Sequence, residues 1–221
     1  MGERTLSPEA IVGQALQIIE RDGAPALTLR KLGAELGVDA TAFYRHFRDK
    51  DDLLLACMDR AEMLAWEAVR EVPPGATWQQ TLLAVADVTW TMATTYPAVY
   101  AATFARTTGG PGERRMVEFL LRTLSSAGLD RASTVLSYRA FVEVLLSLSG
   151  ANATIARLGP EVATKDAEAW ARIHATAPSE ELPVARAHAV ELAGVTSREV
   201  FDFAVGAVID RIAASTGARA D

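Results

Sequence analysis

Thr41, Tyr44 and Arg45 fall within five residues, with Arg30 upstream and His46 and Lys50 just downstream. These side chains can hold a nucleic acid. A guanidinium forks onto a guanine edge, and threonine, tyrosine and histidine hold phosphate oxygens or meet a thymine methyl. With Phe43 at zero on a helical wheel of about 100° per residue, Phe47 lies near 40°, Thr41 near 160° and Arg45 near 200°. Tyr44 and Ala42 flank that pair. The two phenylalanines therefore anchor inward, and the opposite face carries a hydroxyl, a phenol, a guanidinium and a small residue. A helix facing only water rarely spends a tyrosine there, so the spacing predicts a helix that enters a major groove. Lys50, after the capping Asp49, suits a phosphate oxygen at a helix N-terminus. His46 is better placed for backbone than for bases. A bare helix pair is also what two merely packed helices look like, and that alternative stays open here.

The elements that must position these groups follow from the apolar period. Ser7-Pro8-Glu9 opens a helix whose stripe is Ile11, Ala15, Ile18 and Ile19, with Gly23 as its stop. Thr28 to Leu36 makes a short helix ended by Gly37. A third runs from the cap Asp39 to about His46, and a long fourth spans Asp49–Glu71 until Pro73-Pro74-Gly75 breaks it. Thr77 to Gln80 reads as a capping box, followed by a helix to about Tyr96 and another from Pro97 to about Arg106. Gly109 to Gly112 reads as a loop. It lacks the lysine and hydroxyl ending of a phosphate-cradling loop. Helices are then expected over 113–127, 131–157 and 160–176, a polar connector over 178–183, a short segment to about Ala193, and a last helix from a second capping box, Thr196 to Glu199, to about Ala214. No stretch alternates with period two, and no long repeat is evident, so the fold class is all-α. The expected division is an N-terminal helix-turn-helix domain over 1–50 and a helical C-terminal domain over 51–221.

Composition narrows the function classes. The 221 residues are half apolar, which is ample for a core without metal or disulfide. The single Cys57 excludes an intrachain bridge and reads as a small hydrophobe rather than a nucleophile. No signal-peptide pattern opens the chain and no run reaches the roughly 18 apolar residues of a membrane span, so a cytoplasmic protein is expected. Residues 1–50 are neutral, with seven basic and seven acidic residues, whereas the rest carries the whole net charge of −6. That balance argues against coating nucleic acid through bulk charge but not against a small docking module, because phosphate contacts act locally. There is no GxSxG, HExxH, CxxC or dinucleotide fingerprint, and His46, His174 and His188 are too scattered for a zinc pair. No enzyme activity, metal or cofactor is expected.

The stretch Leu27 to Val38, then Tyr44-Arg45-His46-Phe47, Lys50 and Leu53-Leu54, closely resembles the DNA-binding domain of the TetR family of bacterial repressors. The likeness covers residues 8–58. It implies contacts from Arg30, Ala40, Thr41, Ala42, Tyr44, Arg45, His46 and Lys50, with Thr28 as a cap near phosphate. Ala40 and Ala42 depart from relatives that place longer polar side chains there, so base reading is expected to lean on Arg30, Thr41 and Arg45. Residues 77–214 resemble the family's ligand-binding and dimerisation domain only loosely, through Trp78, Leu82, Tyr96-Pro97 and the Leu124 to Leu129 segment.

The C-terminal part also speaks for itself. The helix over 196–214 is apolar on two faces, with Phe201, Val205, Val208 and Ile212 on one and Val200, Phe203 and Ala207 on another. The helix over 131–157 carries the small set Ser147, Ser149, Gly150, Ala151 and Ala153. Together they predict a homodimer through a two-fold four-helix interface, the alternative being that both fill the monomer core. Met63, Trp66, Trp90, Phe104, Met116, Tyr138, Phe141 and Trp170 are candidate linings of an apolar effector pocket, with His174 as a further candidate; each could instead be ordinary core. Glu143, four residues after Arg139, is expected in an intrahelical ion pair. The expectation is a dimeric regulator that binds double-stranded operator DNA and is released from a palindromic site by a small hydrophobic effector. The alternatives are an all-α small-molecule-binding or catalytic protein whose first helix pair is structural, or an activator.

Overall fold

The computed structural model describes residues 6–217 apart from Ala177 and Ser179; within helices, the side chains of Pro160, Ala163 and His174 lie outside the description. The described residues form helices and no strand. The helices are α1 (Pro8–Asp22), α2 (Leu29–Leu36), α3 (Lys50–Val69), α4 (Trp78–Thr95), α5 (Pro97–Thr103), α6 (Pro111–Ser125), α7 (Arg131–Ala156), α8 (Pro160–Ala175), α9 (Pro183–Ala187), α10 (Ala189–Gly194) and α11 (Ser197–Gly217). Two 3₁₀ segments, Ala24–Ala26 and Ala40–Arg45, flank α2. No helix among the described residues is long and apolar enough to cross a membrane.

Local chemistry sets the helix starts. Ser7 Oγ accepts from Ala10 N, Thr28 Oγ1 from Lys31 N and Asp49 Oδ1 from Asp52 N, each satisfying an amide that the helix itself leaves free. Both capping boxes form. Thr77 and Gln80 exchange bonds of 2.9 and 3.2 Å, and Thr196 and Glu199 do the same at 2.8 and 3.2 Å. Gly37 closes α2 in the left-handed region at φ 70°, where a side chain would strain the backbone.

Two apolar cores organise the chain. The first gathers Ile11, Ala15, Ile18 and Ile19 of α1 with Leu27, Leu32, Phe43, Leu53, Cys57 and Met58, and takes in Ala98 to Tyr100 of α5. The second joins Val69 with α4, α6, α7 and α11 through Leu82, Leu120, Phe141, Leu145, Phe201 and Val205. Helix α3 serves both, so it is the mechanical link between them.

Several expectations need correction. The segment over Ala40–Arg45 is a 3₁₀ helix, not an α-helix. Gly109 to Gly112 is not all loop, since Pro111 and Gly112 form the first turn of α6. The glycines are there for closeness: a Cβ on Gly110 would meet Asp59 Cγ at 2.2 Å, and one on Gly112 would meet the Asp59 carbonyl at 2.3 Å. The connector after Pro178 and the segment to Ala193 hold the short helices α9 and α10. Of the small set on α7, Ser149, Gly150 and Ala153 are buried within the monomer, and Gly150 packs so tightly on Phe104 that its Cβ would lie 2.2 Å from the ring. Only Ser147 and Ala151 face outward.

Candidate nucleic-acid interface and effector cavity

Asp39 builds the reading surface. Its Oδ1 accepts from Thr41 N at 2.8 Å and from Thr41 Oγ1 at 2.6 Å, which starts the 3₁₀ turn. In a 3₁₀ helix, residues three apart eclipse. Thr41 therefore stacks under Tyr44, and Ala42 under Arg45, in two parallel ridges instead of the fan that an α-helical wheel draws. Phe43 is fully buried, and Phe47 half-buried behind it. Tyr44 is 60% exposed, and Thr41, Arg45 and His46 are exposed with it. Ala40 and Ala42 are partly covered. Across the turn, Thr28 and Arg30 are exposed at the start of α2. Lys50 rests its Nζ 3.4 Å from the Pro25 carbonyl. Thr28, Arg30, Thr41, Tyr44, Arg45 and His46 are thus exposed on α2 and on the turn packed against it, and Lys50 is partly covered at the start of α3.

The hydroxyl proton of Thr41 is already given to Asp39. Thr41 consequently offers a methyl and lone pairs, which fit a thymine methyl or a base amino group better than a phosphate oxygen. Flanking charges are consumed internally. Arg21 and Lys31 pair with Asp22 and Glu35, and Arg48 grips Asp52 with two nitrogens at 2.6 Å. Arg30 and Arg45 make no such pair among the described residues.

A cavity of about 80 Å³ lies between α3, α4, α5, α6 and α7. Its walls are Glu62 and Ala65 of α3, Val85 and Thr89 of α4, Tyr100 of α5, Arg106 after it, Glu113, Met116, Val117 and Leu120 of α6, and Tyr138, Val142, Leu145 and Leu146 of α7. Two sequence candidates, Met116 and Tyr138, line it. The other described candidates do not. Met63 faces a surface groove beside α1, and Trp66 lies under Arg115, whose guanidinium carbon is 4.6 Å from the ring centroid. Trp90 packs on Phe201 at 4.8 Å, joining α4 to α11; Phe104 sits against Gly150; and Phe141 is core. Trp170 is 51% exposed, and its indole donates to the Leu192 carbonyl at 3.3 Å. His174 lies in α8, but its side chain is outside the described residues. Glu143 pairs with Arg139 on the exposed side of α7, as its spacing predicts, and stays out of the cavity.

Sequence reasoning missed the polar wall of Glu62, Thr89, Tyr100, Arg106 and Glu113. A signal for Glu62 existed. It falls on the inward stripe of Met58, Ala65 and Val69 at helical spacing, where a carboxylate is out of place. Burial, then the nearby Glu113 and Asp59 charges, push its carboxyl up from 4.5 to about 8. Burial also pushes the Cys57 thiol to about 12, which keeps it inert. Among the described residues no group of three or more histidines, cysteines or carboxylates could hold a metal.

Residues 11–57 match the model of bacterial regulatory proteins of the tetR family. An HTH-type transcriptional regulator of Saccharopolyspora erythraea is 29% identical over 130 residues, covering 59% of this chain and 54% of its own. The chain thus spans about half the length of that relative. A TetR transcriptional regulator of Streptomyces coelicolor superposes with a TM-score of 0.78 at 26% identity, over 96% of this chain and 99% of that one. ActR of the same organism, in complex with actinorhodin, superposes with a TM-score of 0.82 at 20% identity over the same shares of the two chains, a likeness of fold.

Proposed function

Since the chain belongs to the TetR family of transcriptional regulators, we propose that it is a cytoplasmic homodimeric repressor that leaves a palindromic operator when a small molecule enters the α3–α7 cavity. The observation that carries this reading is the exposed patch of Arg30, Tyr44 and Arg45, which makes no ion pair among the described residues and is set on a buried Phe43 anchor. Such a patch gives groove contacts at no cost in broken ion pairs. Each half-site takes one 3₁₀ reading segment, and the two must lie about 34 Å apart, one duplex turn.

Dimerisation is supported by an outward apolar stripe. On α7, Leu136, Ala140, Ser147, Ala151 and Ile155 are exposed along one face that the Glu143–Arg139 pair interrupts, and on the neighbouring α11 Val200, Phe203 and Ala207 are exposed. Phe203 is 81% exposed. An apolar strip of this size on a helix pair favours a second copy over water.

Release follows from how α3 is held. Asp59 of α3 accepts from Gly112 N and Glu113 N at 3.1 and 3.0 Å, capping α6 from another element. Glu20 of α1 accepts from Ala98 N and Val99 N at 3.3 and 3.2 Å, capping α5 in the same way. A ligand that spreads the cavity moves α5 and α6, and these two carboxylates carry the shift to α3 and α1. That ActR holds actinorhodin supports a small-molecule effector in this fold. Reciprocity requires operator to weaken effector binding by the same factor as effector weakens operator binding.

A gel shift against DNA upstream of the chain's own coding region tests the reading. Arg45→Ala and Tyr44→Ala should abolish the shift without lowering the thermal midpoint. Parental binding by both variants would return the helix pair to a purely structural role.

A further inference from the structure

The cavity holds a buried acceptor with nothing to accept from. Glu62 Oε2 is buried and has no hydrogen-bond partner. The surrounding groups are spent. Asp59, one turn earlier on α3, accepts from the α6 amides, and Glu113 Oε2 accepts from Gly109 N at 2.6 Å. The Thr108 hydroxyl, with its single proton, lies between the two carboxylates, its Oγ1 2.9 Å from Glu113 and 3.1 Å from Asp59. Arg106 is the cation in the lining, and both its terminal nitrogens grip Asp51 at 2.6 and 2.7 Å. Two carboxylates, Glu62 and Glu113, thus line a space whose cation is engaged elsewhere, with Asp59 close behind Glu62.

A buried polar atom left unpaired costs free energy that a matching donor would recover. The remaining walls, among them Tyr100, Met116 and Tyr138, are aromatic or apolar, and aromatic faces attract cations while repelling anions. Resting on the effector reading above, we propose that the ligand of this cavity is an apolar amine, whose ammonium donates to Glu62 Oε2 while its hydrocarbon part lies against Met116 and Tyr138. An acidic ligand would meet the Glu113 carboxylate, with Asp59 close by, and no unpaired cation among the described lining residues to offset them. The small volume calls for a compact ligand or for side chains that move apart on entry.

Ionisation supplies a second signature. The groups facing Glu62 are Asp59 on its own helix, Glu113 on α6, Tyr100 on α5, Tyr138 on α7 and Arg106 after α5; α4 offers only Val85 and the neutral Thr89. With its carboxyl held near 8, Glu62 is protonated at neutral pH, so pairing with an ammonium expels its proton.

The test uses the full chain without DNA and three matched probes: naphthylethylamine, naphthylethanol and naphthylacetate. Calorimetry should find the amine bound about ten-fold or more tightly than the acid, the effect of one charge-assisted hydrogen bond. In buffers of different ionisation enthalpy, binding should release close to one proton per amine at neutral pH. Glu62→Gln should remove both the preference and the proton release while keeping the helical circular dichroism. Equal or tighter binding of the acid, no binding of the amine, or a preference intact in Glu62→Gln would overturn the assignment. The wild-type comparison decides even if the variant folds poorly. An amine that binds through Glu62 yet leaves the protein–operator complex intact would sustain the ligand class and defeat the repressor reading instead.

Discussion

The guanidinium of Arg106, in the wall of the cavity, forks onto the carboxylate of Asp51 in the first turn of α3, with N–O distances of 2.6 and 2.7 Å. Asp51 follows Lys50, so one ion pair joins the cavity wall to the first turn of α3, beside the lysine proposed to hold a phosphate. The Arg106 hydrogen bonds hold the Asp51 carboxyl below its ordinary range, so the pair is ionised at neutral pH.

Breaking this pair from either side should move operator binding in opposite directions. Arg106→Ala strips the neutralising cation from Asp51 and should weaken binding, whereas Asp51→Asn removes the anion and should strengthen it. Each change is about two-fold, the worth of one charge at ~10 Å in water. Fluorescence anisotropy at rising salt checks this, because both effects should fade as the ions screen them.

Lys50 offers a contact of a different kind. If its ammonium leaves the Pro25 carbonyl for a phosphate, Lys50→Ala should weaken binding evenly across operator variants and reduce the salt slope by about one. Arg45→Ala should instead relax sequence preference, by about 1–3 kcal/mol at the base it reads. Competition against single-base operator variants separates the two behaviours.

The cap that Asp59 provides to α6 should be visible in stability. Asp59→Ala leaves Gly112 N and Glu113 N without their acceptor in a buried corner, a loss of about 1–3 kcal/mol, while the Thr108 hydroxyl keeps Glu113 Oε2. Asp59→Asn keeps one acceptor oxygen and should lose less. Urea midpoints at constant slope measure both.

Glu62 should make stability fall with rising pH. Its native carboxyl sits near 8 against an ordinary 4.5, so the native state holds a proton that the unfolded chain has released across that window. Its contribution is complete below about 4.5 and is lost as pH climbs through about 8. Glu62→Gln titrates nothing there. Relative to the parent it should gain steadily from acid to alkaline pH, by on the order of 1–3 kcal/mol for a buried group relieved of its charge. Paired thermal melts at several pH values read the difference.

The inner face of α7 and the outer face of α11 should answer separately. Gly150→Ala forces a methyl into Phe104 and should destabilise the monomer by about 1–3 kcal/mol, as overpacking does. Phe203→Glu should keep the helical circular dichroism, and its urea midpoint should lose the concentration dependence that dimerisation gives the parent. In sedimentation it should run as a monomer and bind a palindromic site far more weakly than the parent does.

What the linear chain determined was whatever depends on neighbours a few residues away. Ser7, Thr28, Asp39, Asp49, Thr77 and Thr196 start helices through hydroxyl or carboxylate bonds to amides within three residues, and no distant partner is needed. The inward Phe43 and outward Tyr44 follow from the same local period. Tertiary structure decided whatever depends on which element covers which. Apolar spacing marks Trp90, Phe104 and Phe141 as inward without saying that α11, α7 and the second core would claim them, leaving Glu62 and Tyr100 to the cavity. The glycines at 110 and 112 look like loop until Asp59 is seen pressed against them. Even the pitch of the reading segment belongs to this class. Asp39 holds Thr41 from in front and the first core holds Phe43 from behind, and between them they wind Ala40–Arg45 tighter than an isolated helix would run.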